Sequence, residues 1–248
     1  MQYFGFDRPS FALRTLGFGA NFDPLTLFAG GKQGVWYDPS DKSTLFQDVA
    51  GTIPVTKDGD PVALMRDKSG NGNHATQSVS TARPVYKGLY YDGVDDSLDL
   101  SYGFPLADFT LCVAVDTALL DSEMVVLANN QGSGIGSIFL QASTGSVDFY
   151  RGTGNTLTTS SIRNTGVRVL TVTRKGDIHS LYIDGILKDS KTFAGAAGGG
   201  AIRLANWGGL RRFKGKIGSV VIVETGLAAA DVAVLAIKLK GGMEVDNE

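Results

Sequence analysis

From Gly34 onward, hydrophobic and polar positions alternate in short runs that are separated by glycine- and aspartate-rich turns. In Val167–Phe193 the apolar side chains recur at every second position, as in Leu170, Val172, Leu181 and Ile183. This period is typical of half-buried strands. The runs at 108–118 and 215–226 are almost wholly apolar instead, and they predict buried strands. About a dozen short strands at turn spacing predict an all-β fold of two antiparallel sheets.

The pattern changes its period near the C-terminus. In Gly226–Gly242 the apolar residues Leu227, Val232, Leu235 and Leu239 fall on one face of a helix. Gly241 predicts the C-cap of this helix, and residues 243–248 form a short acidic tail. We therefore expect one C-terminal helix beside the strands.

Residues 1–33 are apolar but follow neither period, and Pro9 and Pro24 interrupt them. Such a segment either packs across its own domain or docks on another subunit, and we favour docking. The sequence thus predicts an extended N-terminal arm at 1–33 before a domain at 34–242. The aromatic residues expected to anchor the arm are Phe4, Phe6, Phe11 and Phe18.

Charge and cysteine content narrow the function classes. The net charge of −2 gives no electrostatic reason to bind nucleic acid, and no apolar run is long enough to insert into a membrane. The single cysteine, Cys112, excludes a disulfide within the chain and is expected to be buried. Residues 1–7 lack the pattern of a signal peptide, so we expect synthesis in a host cytoplasm.

Four segments in order resemble laminin-G-like modules of the concanavalin A-like jelly-roll superfamily. They are DKSGNGNHA with LYYDGVDD, then DFTLCVAV, then VLTVTRKGDIHSLYIDGILKD, and finally FKGKIGSVVIVETGLAAADVAVL. The resemblance covers roughly residues 60–240. It implies a two-sheet antiparallel jelly roll, and modules of this kind usually bind ligands and seldom catalyse.

A second resemblance covers Leu27–Gln77, which contains WYDPSD, TLFQD and DKSGNGNHA in this order. The segment is similar to one found in tailed-phage virion proteins. It implies a non-enzymatic structural protein of a virion, in a head decoration, head fibre, collar or tail. The expected partners are other virion proteins, further copies of the chain and host-surface glycan. The alternative is a free carbohydrate-binding or adhesin module of a bacterium, and a glycan-active hydrolase is least favoured.

The sequence predicts no catalytic residues. A glycosidase needs two carboxylates that face each other across the sugar. The four glutamates are Glu123, Glu224, Glu244 and Glu248, and none has a partner at strand spacing. The adjacent pair Asp95 and Asp96 is expected to point apart. The two histidines, His74 and His179, have no evident nucleophile near them, and with one cysteine they give no zinc-site spacing.

Calcium is the one cofactor for which the chain has a candidate site. Asp92, Asp95 and Asp96 share one turn, and Asp67 and Asn71 share another. Carboxylate and carbonyl oxygens in tight loops suit calcium, which sits at a sheet edge in laminin-G-like relatives. The alternative is that these side chains bond their own backbone in Asx turns.

Sugar binding would need an exposed aromatic side chain over a shallow groove. Trp207, Arg211 and Tyr150 are the candidates, because they lie in or beside predicted turns. Arg211 opens the basic cluster at 211–216, which is expected to form a turn. Trp207 either packs on the core or presents a platform to a ligand.

Overall fold

Two large antiparallel sheets make up most of the protein in the computed structural model, which describes residues 22–116, 122–129, 135–152, 154–162, 166–195, 199–209 and 211–244. The strands are β1 (Gly34–Tyr37), β2 (Leu45–Phe46), β3 (Leu64–Met65), β4 (Ala75–Thr76), β5 (Tyr90–Asp92), β6 (Leu98–Gly103), β7 (Phe109–Asp116), β8 (Met124–Asn129), β9 (Ser137–Leu140), β10 (Val147–Tyr150), β11 (Thr156–Thr158), β12 (Val167–Lys175), β13 (Ile178–Ile183), β14 (Ile186–Thr192), β15 (Ala201–Leu204), β16 (Asn206–Trp207), β17 (Arg211–Arg212) and β18 (Lys214–Val223). One α-helix, α1, spans Ala229–Glu244, and short 3₁₀ helices span Pro24–Phe28, Lys42–Thr44 and Ser80–Ala82.

The strand order confirms the predicted two-sheet antiparallel sandwich. One sheet has the order β11-β10-β9-β8-β15-β6-β4-β3-β2. The other has the order β1-β18-β7-β12-β13-β14, and β5 pairs with the first part of β18. A small separate hairpin joins β16 to β17. We call the first the nine-stranded sheet and the second the seven-stranded sheet.

The main core lies between the two sheets. The seven-stranded sheet contributes alternate side chains such as Leu111, Val113 and Val115, all of them fully buried. The nine-stranded sheet contributes residues such as Ile138 and Phe149 from the facing side. The period-two alternation of the sequence therefore marks which side chains enter this layer.

A second apolar cluster covers the outer face of the seven-stranded sheet. Helix α1 packs there against Cys112, Ala114 and Val221, which lie on the face opposite to the main core. This explains why β7 and β18 are nearly all apolar: the sandwich covers one face and the helix covers the other. Burial raises the pKa of the Cys112 thiol to about 12, as expected for a cysteine within a core.

Two predicted boundaries at the chain ends are wrong. Helix α1 does not end at Gly241 but continues to Glu244, and Met243 is buried against Gly218 of β18. The predicted tail at 243–248 therefore begins inside the helix. The end of the predicted arm also belongs to the domain, because Phe22 and Phe28 pack in the cluster beneath α1. The predicted anchors Phe4, Phe6, Phe11 and Phe18 lie outside the described residues.

Within the described residues, no helix combines the length and the apolar character that crossing a membrane would need.

Candidate functional site

A cleft of about 300 Å³ opens on the outer face of the nine-stranded sheet. Strand alternation builds its floor. In β10, Val147 and Phe149 enter the core, so Asp148 and Tyr150 point outward into the cleft. The hairpin β16–β17 adds Trp207 and Arg211 at the side. The three predicted ligand-binding residues, Trp207, Arg211 and Tyr150, thus line one cleft.

The aromatic wall of the cleft is held by packing on the sheet. Phe139 of β9 is buried, and Trp207 meets it edge to face with ring centroids 5.9 Å apart. Tyr150 and Trp207 are both partly buried against the small cluster that Phe139 forms with Val125 and Ala128 of β8. Core packing and a ligand platform are the two alternatives for Trp207, and both apply, since it packs on the sheet and also lines the cleft.

Arg211 lies directly opposite Trp207 in the β16–β17 hairpin. This pairing places its guanidinium 4.9 Å from the Trp207 ring and 5.1 Å from the Phe139 ring, which are cation–π distances. The expectation that residues 211–216 form a turn is wrong. Arg211 and Arg212 form β17, and β18 begins at Lys214.

A polar network along the cleft fixes Arg211 in place. The Nε atom of Arg211 lies 2.9 Å from Oε2 of Glu123. The Gln141 side-chain amide donates to Oε1 of Glu123 at 3.3 Å and to Oδ2 of Asp148 at 2.8 Å. The other Asp148 oxygen, Oδ1, is buried and accepts no hydrogen bond from the residues that the structure describes. Two carboxylates, one amide and one guanidinium thus form a connected set.

Sequence reasoning missed five residues of the cleft. The sequence pattern does not single out Asp148, and it gives Glu123 no carboxylate partner at strand spacing. Once β9 and β10 are paired in register, Phe139 and Asp148 are direct partners on the outer face. The signal in the sequence is the alternation in SVDFY, which marks Asp148 as outward, whereas Ile138, Phe139 and Leu140 are all apolar and do not reveal their faces. The missed residues are Glu123, Phe139, Gln141, Asp148 and Thr156.

The acidic turn after β5 gathers three carboxylates. One oxygen each of Asp92, Asp95 and Asp96 lies within 4.8 Å of the others, so the expectation that Asp95 and Asp96 point apart is wrong. Asp92 accepts from the Val94 amide at 2.7 Å as an Asx turn, and Asp96 accepts from the Asp92 amide at 2.8 Å. These donors explain the geometry of the turn. A calcium ion at this turn stays a prediction, to be checked by the melting temperature in chelator and in millimolar calcium.

Asp96 carries the most perturbed carboxyl group of this turn. Burial to 7% exposure, together with the neighbouring Asp92 and Asp95 charges, raises the pKa of Asp96 to about 6. The folded state therefore holds this proton more tightly than the unfolded chain, in which an aspartate has a pKa of about 3.9.

This difference predicts the pH dependence of stability. Protonated Asp96 makes its full contribution to the free energy of unfolding below about pH 4, and this contribution is lost as the pH rises through about 6. The Asp96→Asn variant lacks this loss. The difference in free energy of unfolding, variant minus wild type, should therefore rise by about 2 kcal/mol between pH 4 and pH 7. Urea unfolding at several pH values measures the gain, and a pH-independent difference would contradict the prediction.

The other half of the predicted calcium set, Asp67 and Asn71, lies elsewhere and has another role. Asp67 accepts four hydrogen bonds, from the Trp36, Ser69 and Asn73 amides and from the Ser69 hydroxyl, at 2.7–3.0 Å. Asn71 donates to the carbonyls of Lys32 and Gly34. Asp67 is not part of the Asp92 cluster and its carboxylate already accepts four hydrogen bonds, so the two turns form separate sets and calcium between them stays a prediction.

This glycine- and asparagine-rich loop fastens β1 onto the sandwich. Asn73 donates to the Gly34 carbonyl at 3.0 Å, and the Tyr37 hydroxyl donates to the Asn73 carbonyl at 2.5 Å. Gly34 itself has φ +148°, and a Cβ there would collide with the Ile222 carbonyl of β18. We call the loop at 67–77 a clasp, because its hydrogen bonds hold β1 in place at the edge of the seven-stranded sheet.

Both histidines take part in the structure of the domain. His74 accepts from the Asp67 amide through Nδ1 at 3.1 Å. His179 is fully buried between aromatic rings, among them Phe149 and Phe193, and burial lowers its pKa.

Solved structures with a similar fold include those of a sialidase and of a neurotoxin. A structure of Trypanosoma rangeli sialidase aligns with a TM-score of 0.60 and 15% identity over 84% of this chain and 33% of that chain. Its complex with sialic acid aligns with a TM-score of 0.56 and 13% identity over the same shares. A structure of botulinum neurotoxin type C, whose cell entry depends on interaction with two ganglioside molecules, aligns with a TM-score of 0.50 and 12% identity. The alignment covers 71% of this chain and 48% of that chain.

The chain spans about a third of the length of the sialidase chains it matches, and identities this low show a shared fold alone. No curated protein sequence matches the chain. The family model of the concanavalin A-like lectin/glucanases superfamily matches residues 92–233, which is more than half of the sequence. The chain belongs to the concanavalin A-like lectin/glucanases superfamily.

Proposed function

We propose that the protein is a non-enzymatic component of a tailed-phage virion and that its jelly roll binds host-surface glycan in the outer cleft. The observation that carries the glycan-binding part is the convergence of Trp207, Tyr150 and Arg211 around one cleft. They come from separate strands, and packing on β8 and β9 holds Tyr150 and Trp207 in place.

Aromatic rings beside charged hydrogen-bonding groups match the two surfaces of a sugar. The apolar face of a sugar ring packs on an aromatic side chain, and its hydroxyls exchange hydrogen bonds with carboxylates, amides and guanidinium groups. The cleft offers Trp207 and Tyr150 for the first contact and Asp148, Gln141 and Arg211 for the second. Its volume of about 300 Å³ lies at the small end of ligand pockets.

The virion part of the proposal is supported by the resemblance of Leu27–Gln77 to tailed-phage virion proteins. A decoration, fibre, collar or tail position fits this resemblance equally. A free bacterial carbohydrate-binding or adhesin module would use the same cleft, so association with particles is what separates the two.

Glycan hydrolysis is the second candidate, since Glu123 and Asp148 both accept from the Gln141 amide beside the cleft. A glycosidase needs one of its two carboxyl groups protonated as the acid. Glu123 is held in an ion pair with Arg211 at 2.9 Å, so its carboxylate is already engaged by a protein side chain. The pair therefore fits sugar binding better than it fits acid catalysis. Release of reducing sugar by the wild type, lost in Glu123→Gln, would favour the hydrolase.

A glycan array with the full-length protein tests binding, and two adjacent arginines give a matched pair of variants. Arg211→Ala removes the guanidinium from the cleft and leaves Glu123 unpaired, so we expect array signals to fall at least tenfold. Arg212→Ala removes the same charge from a residue outside the cleft lining, so its signals should equal those of the wild type. Equal signals from both variants, or no bound glycan, would contradict binding in the cleft.

Particle association tests the virion part. Deleting residues 1–21 keeps Phe22 and Phe28, which are described residues at this end of the chain and belong to the buried cluster, so the domain should still fold. We expect this variant to be lost from purified particles, while the full-length chain is retained. Equal incorporation of both chains, measured by mass spectrometry of the particles, would contradict anchoring by the arm.

A further inference from the structure

We propose that the cleft takes neutral or amine-bearing sugars and selects against acidic ones. This inference rests on the proposed glycan-binding function and specifies its ligand class. The charge balance of the cleft and the one incompletely used carboxylate in it, Asp148, carry the argument.

The positive charge of the cleft is already compensated. Arg211 is the cationic group of the lining, and its Nε atom lies 2.9 Å from Glu123. Its guanidinium also lies over the Trp207 and Phe139 rings, which holds it in one orientation. Beyond the lining, Lys191 is paired with Asp189 at 2.9 Å and donates to the Thr156 carbonyl at 2.7 Å. Neither cation is set up to neutralise an incoming carboxylate.

The negative charge of the cleft is left in excess. Among the described residues, Asp148 accepts one hydrogen bond, from the neutral Gln141 amide to Oδ2, and its Oδ1 is buried without a donor. Of the charged side chains that these residues contribute to the lining, Glu123 and Arg211 form an ion pair, and Asp148 has no cationic partner. The carboxylate of an acidic sugar would lie beside this charge in a partly desolvated cleft, where like charges repel.

The same carboxylate favours ligands that donate. Asp148 lines the cleft, so a ligand bound there can donate to its carboxylate, and hydrogen bonds to an ionised acceptor are stronger than those to a neutral one. Sugar hydroxyls supply such donors, and a sugar ammonium adds a charge opposite to that of Asp148. We therefore expect amine-bearing sugars to bind at least as well as neutral ones, and both to bind better than acidic sugars.

The test is an array of matched glycans that share one core and end in a neutral, an amine-bearing or a sialic acid residue. For cores that bind, the wild type should favour the neutral or amine-bearing member over the sialylated one by tenfold or more. Asp148→Asn keeps the side-chain shape and removes the charge, so this preference should fall several-fold. Asp58→Asn removes the same charge at an exposed position outside the cleft lining and should leave the preference unchanged.

Equal or stronger binding of the sialylated members by the wild type would overturn the inference and leave the proposed glycan binding intact. A preference that is the same in Asp148→Asn and the wild type would also overturn it. Absence of binding to every member would overturn the proposed glycan-binding function, and the inference with it.

Discussion

Replacing Trp207 by alanine should lower glycan affinity at least about tenfold, which corresponds to about 1.4 kcal/mol. Trp207 is the larger of the two partly buried aromatic side chains that line the cleft, so its loss removes most of the apolar surface against which a sugar can pack. Its loss also takes away one of the two rings beneath Arg211. Titration of the best array ligand into both proteins, followed by calorimetry, measures the change.

The control for this variant is Trp36→Ala. Trp36 packs in the cluster beneath α1, with Lys68 over its ring, and it does not line the cleft. The Trp36→Ala variant should therefore have a lower free energy of unfolding than the wild type and an unchanged glycan affinity. An unchanged affinity in Trp207→Ala, or an equal loss in Trp36→Ala, would show that the sugar binds elsewhere.

Replacing Asp67 by asparagine should lower the free energy of unfolding by about 2–4 kcal/mol. Whichever way the amide is oriented, an NH₂ group replaces one carboxylate oxygen that now accepts two hydrogen bonds. At Oδ2 these donors are the Ser69 hydroxyl and the Asn73 amide, and at Oδ1 they are the Trp36 and Ser69 amides. With the NH₂ group at Oδ1, two backbone amides would face a donor, and with it at Oδ2 the Asn73 amide would, since the Ser69 hydroxyl can rotate to accept. Because the loop fastens β1, the loss should loosen the edge of the seven-stranded sheet as well.

Asp58→Asn is the matched control for this prediction, since Asp58 is exposed in a turn of the same region. It should change the free energy of unfolding by no more than about 0.5 kcal/mol. Urea unfolding of the two variants beside the wild type gives the comparison. A loss below about 1 kcal/mol in Asp67→Asn would mean that the loop does not act as a clasp.

The sequence was sufficient for the sandwich because its evidence is local. Alternation at every second residue in 167–193 places each side chain on one face or the other, and the wholly apolar runs mark strands that are covered twice. What covers their second face is a matter of tertiary contact. Helix α1 passes through Gly241, a residue that favours helix ends, because burial of Met243 against β18 outweighs the local preference.

The cleft was only partly predictable, for the same reason. Trp207, Arg211 and Tyr150 can be chosen one at a time from their residue types. Their convergence depends on the β16–β17 pairing and on the position of β10 in its sheet, which neither run of sequence encodes alone. Glu123 and Asp148 are 25 residues apart in the chain and meet only through Gln141.

For the loop at 67–77, the sequence suggests a functional site where the structure shows side chains that stabilise the fold. Its dense polar residues suggest a metal site, but the side chains of Asp67, Asn71 and Asn73 make hydrogen bonds within the fold. Asp67 is an acceptor for backbone amides and a hydroxyl, and Asn71 and Asn73 are donors to the Gly34 carbonyl. Counting the donors that surround an acidic side chain distinguishes a clasp from a candidate metal site, and this count needs coordinates.

The most direct test of the central claim is a crystal structure of the full-length protein with its strongest array ligand. The account predicts sugar electron density in the cleft, with a ring packed on Trp207 or Tyr150 and a sugar hydroxyl or amine donating to Asp148. Density for the sugar at any other surface, with the cleft empty, would contradict it.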